Sequence, residues 1–312
     1  MNIAENPAEI PEIALALSQS TSLKPVQDPQ RPLMLSSCLK QLGCPQENIR
    51  PRARDWPVSR IYLGNEFCER LMPGPKDLEY LQSGPLQRGI NLTLVTPMLT
   101  DAGFRRLDNL LPYLSAGTEV VINDWGALHR LRADYPSLVP VLGRMLNKMI
   151  KDPRLPSAQW TRLQPHSSQS AYFQSFLERF GISQIDMDVP PFVRCGQFQT
   201  APLRLGVHLP YGYTVKGRMC RIGSLGQKDQ KKFVAGHACH KECLAYWAKA
   251  KRPGQKPDQK PETELYSFQR GNSQFYRHSE EMAAAMWQAV DNGWINRLIF
   301  AGDWHENYRP AE

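Results

Sequence analysis

Short apolar runs alternate with longer amphipathic stretches along most of the chain. The short runs are rich in Val, Ile and Leu and are bounded by Gly, Pro, Asn or Asp, which is typical of strands. They predict strands over residues 60–64, 90–96, 119–123, 138–142, 182–189, 203–208 and 295–301. The longer stretches repeat apolar residues at helical spacing and predict helices over residues 101–114, 126–134, 168–180 and 279–291. Asp101 and Ser279 are predicted N-caps, and Gly271 with Asn272 predicts the turn of a β-hairpin within residues 263–278.

Strands that alternate with helices pair in parallel, because each helix carries the chain back to the start of the next strand. About seven or eight such units in one chain predict an α/β fold, namely a TIM-like (β/α) barrel, which can be irregular or incomplete. A doubly wound open sheet is the alternative. No predicted strand is followed by a glycine-rich phosphate-binding fingerprint, so a nucleotide cofactor is not predicted.

The first 57 residues differ from the rest because they are rich in proline, which interrupts helices and central strands. We predict an extended N-terminal arm over residues 1–57, with one short helix near residues 10–18. Residues 58–312 are then a single barrel domain. A cysteine-bearing loop over residues 209–247 is predicted as an insertion at the C-terminal face of that barrel.

Composition narrows the classes of protein and partner. Apolar residues make up 41% of the chain and charged residues 22%, which is ordinary for a folded, soluble protein. No signal peptide is recognisable, and no apolar run reaches the roughly 20 residues that span a membrane. The predicted location is therefore the cytoplasm, where clustered cysteines stay reduced and bind metals more often than they form disulfides. The net charge of +8 favours a small anionic substrate or RNA as partner.

Three of the seven cysteines form the densest chemical motif. Cys220, Cys239 and Cys243 have the spacing Cys-x18-Cys-x3-Cys, with His237 and His240 nearby. Four thiolates hold either a 4Fe-4S cluster or a structural zinc ion, and a Cys3His zinc site is a further alternative. The residues leave the fourth ligand open between two other cysteines: Cys68, which follows the strand at residues 60–64, and Cys195.

Other polar residues also follow predicted strands, and the loops after barrel strands gather at one face. Asp124, His208 and Asp303 are therefore candidate pocket residues, although Asp124 also has the position of a helix N-cap. Basic residues around the cysteine motif are candidates for binding an anion, namely Lys216, Arg218 and Arg221.

Four strings, RIYLGNEFCER, EVVINDWGALH, YGYTVKGRMC and ACHKECLAYW, resemble the collagenase-like peptidase family U-thirty-two, and within it the UbiV-type iron-sulfur proteins. The resemblance covers roughly residues 59–305 and is most specific in the cysteines. Matched residue by residue, the cluster cysteines of the family fall on Cys68, Cys220, Cys239 and Cys243. The segment between Cys220 and Cys239 is longer here than in the ubiquinone proteins of the family.

The resemblance implies a TIM-like barrel with a 4Fe-4S cluster that takes part in oxygen-independent hydroxylation during ubiquinone biosynthesis. It also implies a heterodimer with a second family member, in which this chain is a catalytic or an accessory subunit. An RNA-modifying or RNA-binding protein is the alternative that other family members suggest. A non-enzymatic scaffold stapled by zinc is a third reading. Peptidase activity is not predicted, because no Ser/His/Asp or Cys/His set stands in a motif context.

Overall fold

The computed structural model describes residues 10–26, 32–234, 236–250 and 265–308, and in them eight parallel strands close into a barrel. Its strands are β1 (Glu12–Leu17), β2 (Arg60–Gly64), β3 (Asn91–Val95), β4 (Glu119–Ile122), β5 (Val139–Leu142), β6 (Gln184–Met187), β7 (Arg204–Leu209) and β12 (Arg297–Ala301). Each strand pairs with the next in the chain, and β12 closes the ring between β7 and β1. The predicted (β/α) barrel is confirmed, and the open sheet is excluded.

The first barrel strand overturns the predicted N-terminal arm. Residues 12–17 were expected within a short helix, but β1 pairs in parallel with both β12 and β2 and is buried along most of its length. A run of six residues such as EIALAL is compatible with helix or strand by periodicity alone, so only pairing with distant strands decides its conformation. Two helices that were not predicted, α1 (Leu35–Leu42) and α2 (Pro51–Arg54), also lie in this segment.

The remaining helices agree well with the sequence pattern, apart from α3 (Pro75–Gln82) and the four-residue α7 (Arg221–Ser224), which were not predicted. Their bounds are α4 (Asp101–Leu110), α5 (Trp125–Asp134), α6 (Ala171–Arg179), α7 (Arg221–Ser224) and α8 (Glu280–Asp291). Ser279 is the N-cap of α8 as predicted, because its hydroxyl accepts from the Met282 amide. The N-cap of α4 is Thr100 rather than the predicted Asp101, which is the first residue of the helix.

Charged residues at the amino ends of the barrel strands close the bottom of the barrel. Arg297 is 2% exposed, and its guanidinium lies 2.6 Å from the Glu12 carboxylate and 2.7 Å from that of Glu119. Arg60 binds Glu12 from the other side at 2.7 Å. These paired charges satisfy one another at low exposure. The open end of the barrel is therefore the carboxyl end of the strands.

A second sheet covers part of that open end. Its four strands are antiparallel and have the order β8-β11-β10-β9: β8 (Tyr211–Lys216), β9 (Ala248–Lys249), β10 (Ser267–Arg270) and β11 (Ser273–Arg277). The predicted hairpin is confirmed, with Gly271 and Asn272 at its turn. The predicted cysteine-bearing insertion thus begins as a strand of this sheet. None of the helices in the described ranges has the length and apolar character needed to cross a membrane.

Candidate functional site

Four cysteines from three parts of the chain line one cavity of about 500 Å³ above the barrel. These are Cys68, Cys220, Cys239 and Cys243, and we call the space the cysteine cavity. The sequence placed three of them together by spacing, and the closed barrel brings Cys68 to them from the end of β2. Cys195 lies elsewhere: its sulfur accepts a hydrogen bond from Asn292, and it does not line this cavity.

Asn65 determines where Cys68 lies. Its side-chain oxygen accepts hydrogen bonds from the amides of Phe67 and Cys68 at 3.0 and 3.1 Å, which turns the chain sharply after β2. The same side chain donates to the Ser18 hydroxyl at 3.2 Å, so the turn is also tied to the loop after β1. Substitution of Asn65 would remove the hydrogen bonds that form the turn and the hydrogen bond to Ser18.

Backbone amides point at two of the other sulfurs. The Gly223 amide donates to the Cys220 sulfur at the start of α7, and the Lys241 amide donates to the Cys239 sulfur, each at 3.3 Å. Amide hydrogen bonds of this kind stabilise negative charge on sulfur. At Cys220 the Gly223 amide lowers the thiol pKa against the larger, raising effect of burial.

The loop that carries Cys243 is held from below by Arg270. This buried guanidinium donates to the carbonyls of Cys243 and Leu244, both at 2.9 Å, and to the His305 carbonyl. The adjacent turn is pinned as well, since the Asn272 amide donates to the Phe67 carbonyl at 2.7 Å. The hairpin thereby connects the cysteine loop to the loop that carries Cys68.

The thiols also interact electrostatically. Burial raises the pKa of Cys68, Cys220 and Cys243, and negative charge on neighbouring sulfurs of the set raises each pKa further. Four thiolates cannot share this space without a compensating positive charge, whereas a bound cationic centre deprotonates its thiol ligands. The donor set therefore fits an iron-sulfur centre chemically.

The two histidines of the motif lie differently relative to the cysteine cavity. Within the described ranges, no group of three or more His, Cys, Asp or Glu side chains is arranged to hold one metal ion. Of the two histidines, His240 does not line the cavity, and the ring nitrogens of His237 face the carbonyls of Ala238 and Cys220. His237 therefore lies on the cavity wall with its ring nitrogens directed at the backbone, whereas His240 lies off the wall.

The basic residues predicted to bind an anion are divided between two cavities. Lys216 and Arg218 line the cysteine cavity, where burial lowers the pKa of Lys216 while the Cys68 sulfur opposes that effect. Arg221 does not line it. Its side chain lies on a different cavity, because α7 begins between Cys220 and Arg221 and directs consecutive side chains to different sides.

A second, smaller cavity of about 50 Å³ lies in the mouth of the barrel beside the first. We call it the mouth cavity; Phe67 and Trp304 line both cavities and separate them. Among the residues that the structure describes, four buried polar atoms of its lining residues have no hydrogen-bond partner: Glu66 Oε1, His208 Nε2, Tyr211 Oη and Trp304 Nε1. Buried polar atoms are normally paired, so this group is suited to bind a polar ligand or ordered water.

His208 has a carboxyl neighbour deeper in the barrel. Its Nε2 lies 3.8 Å from Asp186 Oδ2, and both atoms lack a hydrogen-bond partner in the described ranges. Burial raises the pKa of Asp186 to about 7 and lowers the pKa of His208 to about 3, so both groups are neutral between these two pH values. A neutral carboxyl and a neutral imidazole can take up or release a proton at a ligand in the mouth cavity.

Arg144 organises the charges at the rim of the mouth cavity. Its guanidinium binds Glu66 at 2.6 Å and Asp188 at 2.7 Å, and Lys151 binds the other oxygen of Asp188 at 2.5 Å. All four side chains are buried. Although burial opposes it, Lys151 and Arg144 hold the pKa of Asp188 at about 2. This network fixes the positions of two positive and two negative side chains at the mouth cavity.

Two of the three candidate pocket residues have structural roles instead. Asp124 caps α5 by accepting from the Gly126 and Ala127 amides, and it lines none of the cavities described here. Asp303 is buried and accepts from the Ser18 and Gln19 amides and the Ser22 hydroxyl, which consumes its oxygens in holding the loop after β1. Only His208 lies in the mouth cavity as predicted.

Sequence reasoning missed the buried charges of the mouth. Asp186 and Asp188 were visible as two acids in the apolar string ISQIDMDV, where burying carboxylates is costly unless they are paired. Arg144 follows β5 by two residues, the same strand-end position that singled out His208. Both signals were available, but neither forms a motif.

Comparisons with known proteins identify no family and add no chemistry. The sequence matches no family model and no curated protein. Among solved structures, the chain is similar to the Bacillus megaterium QM B1551 spore cortex-lytic enzyme SleL, with 9% identity, TM-score 0.38, and coverage of 98% of this chain and 73% of that one. It is also similar to catalytic domain 2 of an Ostrinia furnacalis Group II chitinase, with 10% identity, TM-score 0.34, and coverage of 95% and 91%. Likenesses this weak carry no argument about activity.

Proposed function

We propose that this chain is an iron-sulfur protein whose four-cysteine site holds a 4Fe-4S cluster. Cys68, Cys220, Cys239 and Cys243 would be the ligands. The observation that carries the proposal is their convergence on one cavity from separate parts of the chain, with amides directed at two of the sulfurs. A cluster with four cysteine ligands has no open coordination position, so when bound it supplies electron transfer.

We further propose oxygen-independent hydroxylation as the reaction class, on the resemblance to the UbiV-type proteins, with ubiquinone biosynthesis as the pathway. A second family member would be the partner in a heterodimer. The mouth cavity supports a site of chemistry beside the cluster, since the two cavities share Phe67 and Trp304 as wall residues in the described part of the chain. His208 lines this cavity and would exchange a proton with the substrate there, with Asp186 beside it deeper in the barrel.

Exchange of one cysteine tests both parts of the proposal. Anaerobically purified protein should contain about four iron and four sulfide per chain with an absorption band near roughly 400 nm, and Cys239→Ser should lose the cluster. Cys195→Ser is the matched control, because its sulfur lies outside the cysteine cavity. In cells that lack the native gene and grow without oxygen, the control should restore ubiquinone and Cys239→Ser should not.

Other results would contradict the proposal at different levels. Stoichiometric zinc without sulfide would refute the cluster. Full iron content in Cys239→Ser would refute the ligand set. A normal cluster in a chain whose loss leaves anaerobic ubiquinone unchanged would refute the pathway while leaving the cofactor intact.

A further inference from the structure

A third cavity of about 980 Å³ lies on the other side of the second sheet, and we call it the sheet cavity. Side chains alternate across the sheet: Gln269 and Gln274 line this cavity, whereas Phe268 and Phe275 are buried on the opposite face in the cluster that contains Phe67. The volume lies at the upper end of the roughly 300–1,000 Å³ that small-molecule sites occupy.

One part of its wall is apolar and open to solvent. Val215, Leu225 and Phe233 are 53%, 59% and 53% exposed, although each is a large apolar side chain. Ile222 and Leu265 continue the same wall. Apolar side chains left exposed together in a concavity are typical of a binding site, because covering them removes apolar area from water.

The rest of the wall is strongly basic. Five cationic side chains line it against one carboxylate, Asp152: they are Lys148, Lys151, Arg154, Arg221 and Lys249. Asp152 is paired with Arg154, and Lys151 is paired with Asp188. Arg221 and Lys249 are exposed and have no carboxylate partner within the described ranges. The field in the cavity is therefore positive.

We infer that the sheet cavity binds a small amphipathic anion, an aliphatic body with a carboxylate or phosphate head group. The apolar wall takes the body, and Arg221 takes the head, since a guanidinium binds both kinds of anion through paired hydrogen bonds. The apolar side chains of the cavity wall are mainly aliphatic, so they suit an alkyl chain better than stacked nucleic-acid bases. The inference does not rest on the proposed cluster.

Calorimetric titration of the full chain with four probes tests this inference. Dodecanoate and dodecyl phosphate, below their micelle concentrations, should bind at one site per chain, and the tighter of the two identifies the head group. Two further probes should bind at least about tenfold more weakly. Dodecyltrimethylammonium has the same alkyl chain but the opposite charge, so it lacks the anionic head group. Inorganic phosphate lacks the alkyl chain.

Two variants locate the site. Arg221→Gln should weaken binding of the tighter probe by about tenfold or more, through loss of a charged hydrogen bond. Leu225→Ser should weaken it by a similar factor, through loss of apolar burial. Lys76→Gln, an exposed lysine outside the cavity, should leave it unchanged. Thermal unfolding measured on every variant establishes that each is folded.

The inference is overturned if both head groups fail to bind, or if Arg221→Gln and Leu225→Ser bind with wild-type affinity. Equal binding of the cationic probe would also overturn it. An RNA oligonucleotide that binds through Arg221 while dodecanoate does not bind would assign the cavity to nucleic acid instead.

Discussion

Asp186 is the residue whose ionisation depends most on the fold. It is fully buried, and its pKa is raised to about 7 from the ordinary 3.8, chiefly by burial and also by Glu119. Between these two values the folded protein keeps a proton that the unfolded chain releases. Unfolding free energy therefore falls as pH rises from about 4 to 7 on account of this residue.

Asp186→Asn should remove that dependence, because the amide does not ionise. Relative to wild type, the variant should gain stability with rising pH, by up to about 1.4 kcal/mol per pH unit at the steepest point. Urea unfolding at pH 5 and at pH 7.5 measures the difference. Asp55→Asn, the same change at an exposed position, is the control and should leave the pH dependence of stability as in wild type. Parallel profiles for wild type and Asp186→Asn would contradict the assignment.

Among the elements, the hairpin β10–β11 matters most for the candidate cluster site. It contributes no cysteine, yet Arg270 at the end of β10 satisfies three carbonyls of the cysteine loop and the chain after β12. Asn272 at its turn reaches the loop that carries Cys68. The second sheet is thus a support for the ligands rather than a source of them.

Arg270→Met should loosen the cysteine loop while keeping apolar packing against Trp304. Three carbonyls lose their hydrogen-bond donor, and each loss destabilises the closed loop by about 1 kcal/mol. Iodoacetamide should therefore label Cys243 about tenfold faster or more, because the loop opens more often. The iron content should also fall. Peptide mass spectrometry measures the labelling of each cysteine. Arg194→Met, an exposed arginine outside the three cavities, should label at the wild-type rate. If Cys243 is labelled at the wild-type rate in Arg270→Met, the cysteine loop keeps its conformation without Arg270.

For the whole molecule, closure of the barrel is the event on which both candidate cavities depend. Cys68 reaches the other cysteines, and His208 reaches Glu66, only when β1 joins β12 to β2. At the amino ends of the strands, the ion pairs of Glu12 with Arg60 and Arg297 connect β1 to β2 and to β12. A segment that the sequence pattern assigned to an arm is therefore part of the core.

Leu15→Ala distinguishes a core strand from an arm. Leu15 is fully buried in β1, so its truncation should cost about 2–5 kcal/mol of unfolding free energy. Ile10→Ala, five positions earlier at 62% exposure, should change stability by less than about 0.5 kcal/mol. Denaturant unfolding of both variants measures the contrast. Equal and small effects would mean that β1 contributes little to the barrel.

By itself, the sequence determined the barrel class, seven of its eight strands, the hairpin and three neighbouring cysteines, because periodicity, turn residues and close spacing are local properties. The tertiary structure alone decided that EIALAL is a strand, since pairing with distant strands outweighs an ambiguous pattern. It also decided that Asp124 caps a helix and Asp303 holds the loop after β1 instead of lining a pocket, and that Arg221 faces a different cavity from Lys216. Those outcomes depend on which donors and walls meet when the ring closes, and a linear pattern does not contain that information.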